Sequence, residues 1–313
     1  MSIFKRSAVQ GRRSLRLLCT ACAGCLVLAA GCRTSDDAAA AATQMSTTAK
    51  TLSDYYTALG TILQDSDQIY RVNLAVFSKP YPPENQQLVK TAEDELAKRA
   101  KLAADFSDLA ANFGKLTGST APGDVGTSAG KLETECESLA GVTSSSMEQN
   151  AIKGALQALV VAVQEHKERE AARAMDAATK GLADLFAKEA PTWNSVEHTY
   201  AETAATLAKS LVDKDAVDDA WVLKPALDPF GLATAPPSAD MQKSLADLAK
   251  TQIETKKADL DKSYDSATDA MEKSLTEMAR RVHLVAEDKP MSFKAAPPSL
   301  ATVEQWAQKV ISQ

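Results

Sequence analysis

Hydrophobic residues recur every seven positions between Met45 and Phe77. Two such rows lie side by side, Tyr55, Ile62, Ile69 and Val76 in one, and Tyr56, Leu63, Tyr70 and Phe77 in the other. A seven-residue repeat places its members on one helix face and is typical of helices that supercoil around a partner. The prolines of the following segment, SKPYPPEN, cannot continue a helix. We therefore predict a helix from Met45 to Phe77.

A second helix is predicted from Glu84 to Leu116. Its apolar positions are spaced four, three, four and three residues apart, at Leu102, Phe106, Leu109, Phe113 and Leu116. Glu95 and Arg99 stand on the same seam nearer its start, where an i,i+4 ion pair is expected. The glycine- and proline-containing stretch TGSTAPGDVGTSAG then interrupts the pattern.

The remaining chain shows the same helical period. Residues 131–212 are predicted to be helical with interruptions, and Pro191 marks a kink or a new start. A long helix is expected at 240–286 and a short one at 300–311. No segment alternates with period two, so no sheet is expected. These patterns predict an all-α fold for residues 45–313, an elongated antiparallel helical bundle with coiled-coil-like heptad seams.

The connection between the last two predicted long helices, residues 213–239, is unusually long for a bundle. It is also unlike a disordered linker, because it contains large apolar side chains, Trp221 and Phe230 among them. Two interpretations remain open. The loop folds back and caps the bundle with its aromatic residues buried, or Trp221 and Phe230 form an exposed patch that contacts a partner.

The N-terminus has a different character. Five basic residues precede an uncharged, mostly apolar segment between Arg16 and Arg33, and four of the five cysteines of the chain lie in it or at its end. The cysteine spacing does not match an iron–sulfur ligand run, whose fourth cysteine comes sooner. A basic start, an apolar stretch and small residues are instead typical of a secretory signal peptide, here residues 1–31.

The end of that segment, Leu28-Ala29-Ala30-Gly31-Cys32, resembles a bacterial lipoprotein lipobox. The resemblance covers residues 1–32 only, and the mature chain resembles no family that we identify. It implies cleavage before Cys32 and attachment of acyl chains, palmitate among them, to that residue. Residues 32–44 would then be a lipid-anchored tether. Arg33 in the position after Cys32 favours, by the same resemblance, the outer membrane over the inner membrane.

Charge narrows the range of partners. The whole chain has a formal charge of −6, and the signal peptide accounts for +5, so the mature chain carries −11. Such an acidic protein is not expected to bind nucleic acid through its overall field. It also lacks the basic face that a BAR-like membrane-shaping bundle needs, although the helix lengths would fit one.

Only one pattern suggests metal chemistry. Each histidine has a glutamate four residues later, which gives the pairs His166–Glu170, His198–Glu202 and His283–Glu287. Such pairs share a helix face and could supply two ligands, but they are more often simple solvated contacts. We expect no metal site, no cofactor and no enzymatic activity, since neither G-x-S-x-G nor H-E-x-x-H occurs.

The sequence thus favours an envelope lipoprotein, held in the membrane through Cys32, that acts as a non-catalytic helical scaffold or interaction module. Its expected partner is another envelope protein or a second copy of the chain. The alternatives are a metal- or ligand-binding lipoprotein that uses the His–Glu pairs, and the BAR-like bundle.

Overall fold

The computed structural model describes residues 7–116, 122–139, 146–231, 238–289 and 298–312. Side chains are described from residue 37 onward, except at positions 116, 122, 146, 226, 230, 239, 240 and 298. The α-helices in these ranges are α1 (Ser7–Val76), α2 (Pro83–Leu116), α3 (Pro122–Ser138), α4 (Ser146–Gln164), α5 (Glu168–Asp213), α6 (Lys224–Leu227), α7 (Ala239–Ala286) and α8 (Pro298–Ile311). No strand occurs in the same ranges, which confirms the predicted all-α fold.

Two long antiparallel hairpins organise the bundle. Helices α1 and α2 form the first hairpin, and α5 and α7 form the second. Helices α3 and α4 continue from α2 to α5, each packed against its neighbour in the chain, while α8 lies between α1 and α7. Because α1 also contacts α5 and α7, the two hairpins share one core.

The centre of that core is aromatic. The ring of Tyr55 on α1 lies 5.6 Å from Phe186 on α5 and 5.0 Å from Trp306 on α8, centroid to centroid. Such contacts stabilise a core beyond the area they bury. Buried residues on α1 begin as early as Ala41 and Ala42, before the predicted start of the bundle at Met45. Their small side chains allow α2 to approach α1 closely.

The far ends of the hairpins are less well buried. On α1 the side chains after Ile62 are half-buried or exposed. On the second hairpin a small separate cluster of Val212, Val222, Leu245 and Ala249 joins α5, the connection and α7. We call residues 70–92 of the first hairpin, together with residues 213–231 and 238–250 of the second, the distal end. Its two parts meet where the Lys214 ammonium lies 5.0 Å from the centre of the Phe77 ring.

Four helices end in the same way, on a residue with left-handed backbone that is not glycine. These residues are Ser78, His166, Asp215 and Asp288, with φ between 51° and 58°. In each case the next amide donates to the carbonyl five residues earlier, for example Lys167 N to Ala162 O at 2.8 Å. This is the Schellman motif, which satisfies carbonyls left unpaired at a helix C-terminus. The break at His166 was not predicted, because the sequence has no glycine there.

The predicted signal peptide from Ser7 onward and the predicted lipidation site Cys32 lie at the start of α1, and the side chains up to residue 36 are outside the described ones. Residues 1–6 lie outside the described residues altogether. Among the helical segments that are described, none has an apolar stretch long enough to cross a bilayer.

Candidate functional site

A buried arginine forms the most extensive polar network of the core. Arg99 on α2 is fully buried, and its Nε and Nη2 atoms donate to the two carboxylate oxygens of Glu189 on α5 at 2.6 and 2.7 Å. Nη1 donates to Glu95 Oε2 at 2.8 Å, which confirms the predicted i,i+4 pair. Lys98 also contacts Glu95, at 2.9 Å. The charges of the two basic side chains thus balance those of the two acidic ones.

Aromatic residues enclose this network. The guanidinium carbon of Arg99 lies 5.2 Å from the centre of the Trp193 ring. Burial, together with the charge of Glu189, raises the pKa of Tyr56 well above its ordinary value. Burial by itself would lower the pKa of Arg99, but the hydrogen bonds and charge of Glu189 outweigh it and raise that pKa. The ion pair is thus fixed in its charged form and closed to solvent, which suits structure better than catalysis.

A second polar group lies two helical turns along the same face of α5. Glu197 is completely buried, and within the described part of the chain neither of its carboxyl oxygens has a hydrogen-bond partner. Burial and, to a smaller extent, the charge of Asp265 raise its pKa to about 8, and the neighbouring Thr268 hydroxyl offsets part of the rise. That hydroxyl is itself hydrogen bonded to the Tyr55 hydroxyl at 2.8 Å. The carboxyl of Glu197 is therefore protonated at neutral pH.

The next residue faces α7 at the edge of the core. His198 Nδ1 lies 2.7 Å from Asp261 Oδ1, and His198 Nε2 lies 3.0 Å from Asp265 Oδ1. Asn194 donates to the same Asp265 oxygen at 3.0 Å. The hydrogen bond to Asp261 is the main cause that raises the pKa of His198. The imidazole is thus held between two carboxylates of the neighbouring helix.

The other predicted histidine pairs are arranged differently. Glu202 contacts Lys257 at 3.1 Å rather than His198. His166 is exposed at the end of α4, and Glu170 contacts Lys167 at 3.5 Å.

Only His283 contacts its own glutamate, with Nε2 3.3 Å from Glu287, while its Nδ1 lies 2.9 Å from Asp176 on α5.

The three pairs do not converge on one site. Asp176, the partner of His283, precedes His198 by 22 residues on α5, which corresponds to about 33 Å of helix. Across the described residues, no three histidine, cysteine or acidic side chains are placed to hold a metal ion. We assign none of these six residues as a metal ligand.

A cleft of about 1180 Å³ runs between α1 and α8. Its lining is mostly hydroxyl, amide and charged groups, and it includes no histidine or cysteine. Thr51 donates across it to Glu304 at 3.2 Å. Burial raises the pKa of Asp54, the charge of Lys50 lowers it, and that of Glu304 raises it. The cleft offers hydrogen-bond donors and acceptors to a polar molecule.

Among the residues whose side chains are described, Cys136 is the one cysteine, and it is a poor candidate for a reactive thiol. Cys136 is buried on α3, and burial together with the charges of Glu133, Glu135 and Glu137 raises its pKa to about 12. A thiol that stays protonated at neutral pH is a poor nucleophile.

Comparison with protein-family models, with curated proteins and with solved structures found no match to this chain.

The distal end carries most of the exposed large apolar side chains. Seven of the ten in the described part of the chain belong to it, namely Val72, Phe77, Leu88, Val217, Trp221, Met241 and Leu248. Trp221 is 42% exposed while its neighbour Val222 is buried, so the connection turns one apolar side chain inward and the next outward. The side chain of Phe230, the other predicted contact residue, lies outside the described ones.

Sequence reasoning missed the buried acids Glu189 and Glu197. A signal for them exists, because they stand four residues either side of the buried Trp193, on one helix face. Glutamates in register with a buried tryptophan are candidates for burial. Arg99 on α2, which pairs with Glu189, and the α7 residues around Glu197 are not visible in the local sequence.

Proposed function

We propose that this protein is a lipid-anchored envelope lipoprotein that acts as a non-catalytic interaction module and contacts a partner protein through its distal end. The observation that carries the proposal is the clustering of exposed apolar side chains at that end. Contiguous exposed apolar surface on a soluble domain commonly marks an interaction site.

Both hairpins contribute to the proposed contact surface. Phe77 and Leu88 come from the first hairpin, and Trp221 and Met241 come from the second. The contact between Lys214 and Phe77 joins the two hairpins at this end of the bundle. Tryptophan and phenylalanine supply large contact areas with few rotatable bonds, and tryptophan is enriched at the centres of interfaces.

The helix that carries the proposed anchor ends at this surface. Cys32 and Val76 both belong to α1 and are separated by 44 residues, which corresponds to about 66 Å of helix. A membrane-attached chain of this design would present its contact surface well away from the lipid. The resemblance to a lipobox supports the anchor, and the buried, charge-balanced core supports a structural role for the bundle itself.

The anchor is tested by metabolic labelling with an alkyne analogue of palmitate. Wild-type protein should be labelled, and Cys32→Ala should not be. Labelling of the Cys32→Ala variant would contradict the anchor without bearing on the contact surface.

The contact surface is tested by placing a photo-crosslinking amino acid at Phe77, Leu88 or Trp221 in the full chain. Val161 on α4 is the matched control, because it is an exposed apolar residue outside the distal end, with 52% of its surface accessible. We expect one discrete cross-linked envelope protein from the distal positions and none from Val161. Trp221→Asp should abolish that product and leave thermal melting unchanged. Cross-links of equal yield from Val161, or a product containing only two copies of this chain, would overturn the proposed partner.

A further inference from the structure

The second hairpin has two differently stabilised halves. Its lower half consists of α5 up to Ala201 and α7 from Tyr264 onward, and it belongs to the main core. Its upper half rests on the small cluster around Val222 and on ion pairs between the two helices. Those ion pairs are Lys209 with Glu254, Lys250 with Asp213, and Lys257 with Glu202. Glu197 and His198 lie where the two halves meet.

The geometry of His198 requires two protons on its ring. Each ring nitrogen lies within hydrogen-bond distance of a carboxylate oxygen of α7, on Asp261 and Asp265. An ionised carboxylate only accepts hydrogen bonds, and a neutral imidazole has only one N–H to donate. Loss of either proton would turn a nitrogen lone pair toward an anionic oxygen. The cross-helix contact therefore depends on the imidazolium form.

The geometry of Glu197 requires a proton as well. Its carboxyl is fully buried, and among the described residues neither oxygen accepts a hydrogen bond. A carboxylate there would have only the Thr268 hydroxyl, which is already hydrogen bonded to Tyr55, to compensate for its lost hydration. Its route to solvent is movement of α7 away from α5, because the upper half of α7 is largely exposed beyond that level.

We propose that Glu197 and His198 form a proton-dependent latch between α5 and α7, which holds the upper half of the second hairpin closed when both are protonated and releases it when both protons are lost.

Glu197 and His198 change the stability of the closed hairpin in the same direction as the pH rises. The pKa of His198 is raised above its ordinary value of 6.5, so its stabilising contribution is complete below that pH and is lost as the pH rises above it. The pKa of Glu197 is raised from 4.5 to about 8, so the folded state binds more protons than the unfolded state between these values. Closure is therefore favoured by acid: the contribution of Glu197 declines from about pH 4.5 to about pH 8, and that of His198 declines above pH 6.5.

The described groups that face Glu197 include no basic side chain that would lower its pKa. From α7 it faces Asp265, Thr268 and Tyr264, and from α1 it faces Tyr55. The charge of Glu197 contributes to the raised pKa of both tyrosines, which stay neutral throughout this range.

At His198 the facing groups are the two aspartates of α7. Asp261 also accepts a hydrogen bond from Lys257 at 3.0 Å. Burial acts to raise the pKa of Asp261, but the hydrogen bonds from His198 and Lys257 outweigh it and lower that pKa.

The latch does not require the proposed partner contact, although the released segment carries Met241 and Leu248 of the distal end. It is tested by hydrogen exchange measured by mass spectrometry on the full chain at pH 6 and pH 9, after correction for the intrinsic pH dependence of exchange. The reporter is the peptide covering residues 241–262, and the internal reference is a peptide from residues 100–113 of α2. Protection of the reporter should fall at least about tenfold between the two pH values, while the reference remains unchanged.

Three variants make the test specific. Glu197→Gln keeps the shape of the side chain without its charge, and together with His198→Gln it should remove the pH dependence of the reporter. His283→Gln is the matched control, since His283 also bridges α5 and α7 through Asp176, at the opposite end of α7. It should leave the pH dependence of residues 241–262 intact. Circular dichroism checks that each variant is folded.

The proposal is overturned if the wild-type reporter has the same protection at both pH values. It is overturned equally if the double variant keeps the full change, or if His283→Gln abolishes it. Glu197→Gln alone provides a result even if His198→Gln fails to fold, because it should reduce the change by at least half on its own.

Discussion

At the scale of single residues, the core is unusual for how much charge it holds. Arg99 makes three hydrogen bonds to the carboxylates of two residues and a fourth to the Glu95 carbonyl, at 3.0 Å. Burying ions costs several kcal/mol each, and a complete set of partners offsets that cost. The network therefore contributes more to the alignment of α2 with α5 than to net stability, because only one register pairs Arg99 with Glu189.

Removing the Arg99 guanidinium should lower the stability of the fold far more than the small net contribution of the network suggests. We expect Arg99→Met to reduce the free energy of unfolding by roughly 3–5 kcal/mol, because two buried carboxylates lose their partner. Lys101→Met is the control, since Lys101 is 55% exposed and its pairs with Asp105 and Glu135 are worth at most about 1 kcal/mol. Urea denaturation of both variants measures the difference, and equal effects would contradict a buried network.

At the scale of helices, small residues set how closely the elements approach. Gly181 on α5 faces α4, and a Cβ added there would lie 2.6 Å from Ile152 Cγ1. The buried alanines Ala171, Ala174 and Ala178 lie on the same helix. The polar stretch at the start of α5 is thus a helix packed through alanine and glycine.

Glycine-to-alanine substitutions at two positions should change the stability of the fold in opposite directions. Gly154→Ala on α4 should stabilise by up to about 1 kcal/mol, because the added Cβ meets no atom within 4 Å and alanine favours helix. Gly181→Ala should destabilise, because the clash with the buried, β-branched Ile152 costs about 1–3 kcal/mol and exceeds the gain in helix propensity. Thermal melting of the two variants distinguishes them, and stabilisation by Gly181→Ala would mean that α4 and α5 are farther apart.

At the scale of the whole molecule, the helix lengths determine an extended shape. Helix α7 has 48 residues, which corresponds to about 72 Å. A compact globule with the 281 residues of positions 33–313 would have a radius of gyration of about 19 Å.

Small-angle scattering of residues 33–313 should therefore give a radius of gyration clearly above about 19 Å, with a distance distribution that tails beyond the length of α7. Release of the latch should extend the tail further at pH 9 than at pH 6. A value near the globular one at both pH values would contradict the extended bundle.

The sequence alone determined the features that depend on neighbours along the chain. The α2 and α7 helices begin at Pro83 and Ala239, each within one residue of the predicted start, because prolines and small polar residues act locally on the backbone. The Glu95–Arg99 pair was likewise predictable, since both residues share one helix face. The helix end at His166 was not, because the Schellman hydrogen bonds that compensate its left-handed backbone are visible only in the folded chain.

Only the tertiary structure decided which charged residues meet. Glu189 lies 90 positions from Arg99, and Asp261 and Asp265 lie more than 60 positions from His198. The sequence offered Glu202 as the partner of His198, but the rotation of α7 against α5 brings the two aspartates closer and directs Glu202 to Lys257. The position of α7 depends in turn on contacts with other segments, such as the Tyr264 ring on α7, whose centre lies 6.4 Å from that of Trp306 on α8, and such contacts are decided by how whole helix faces fit together.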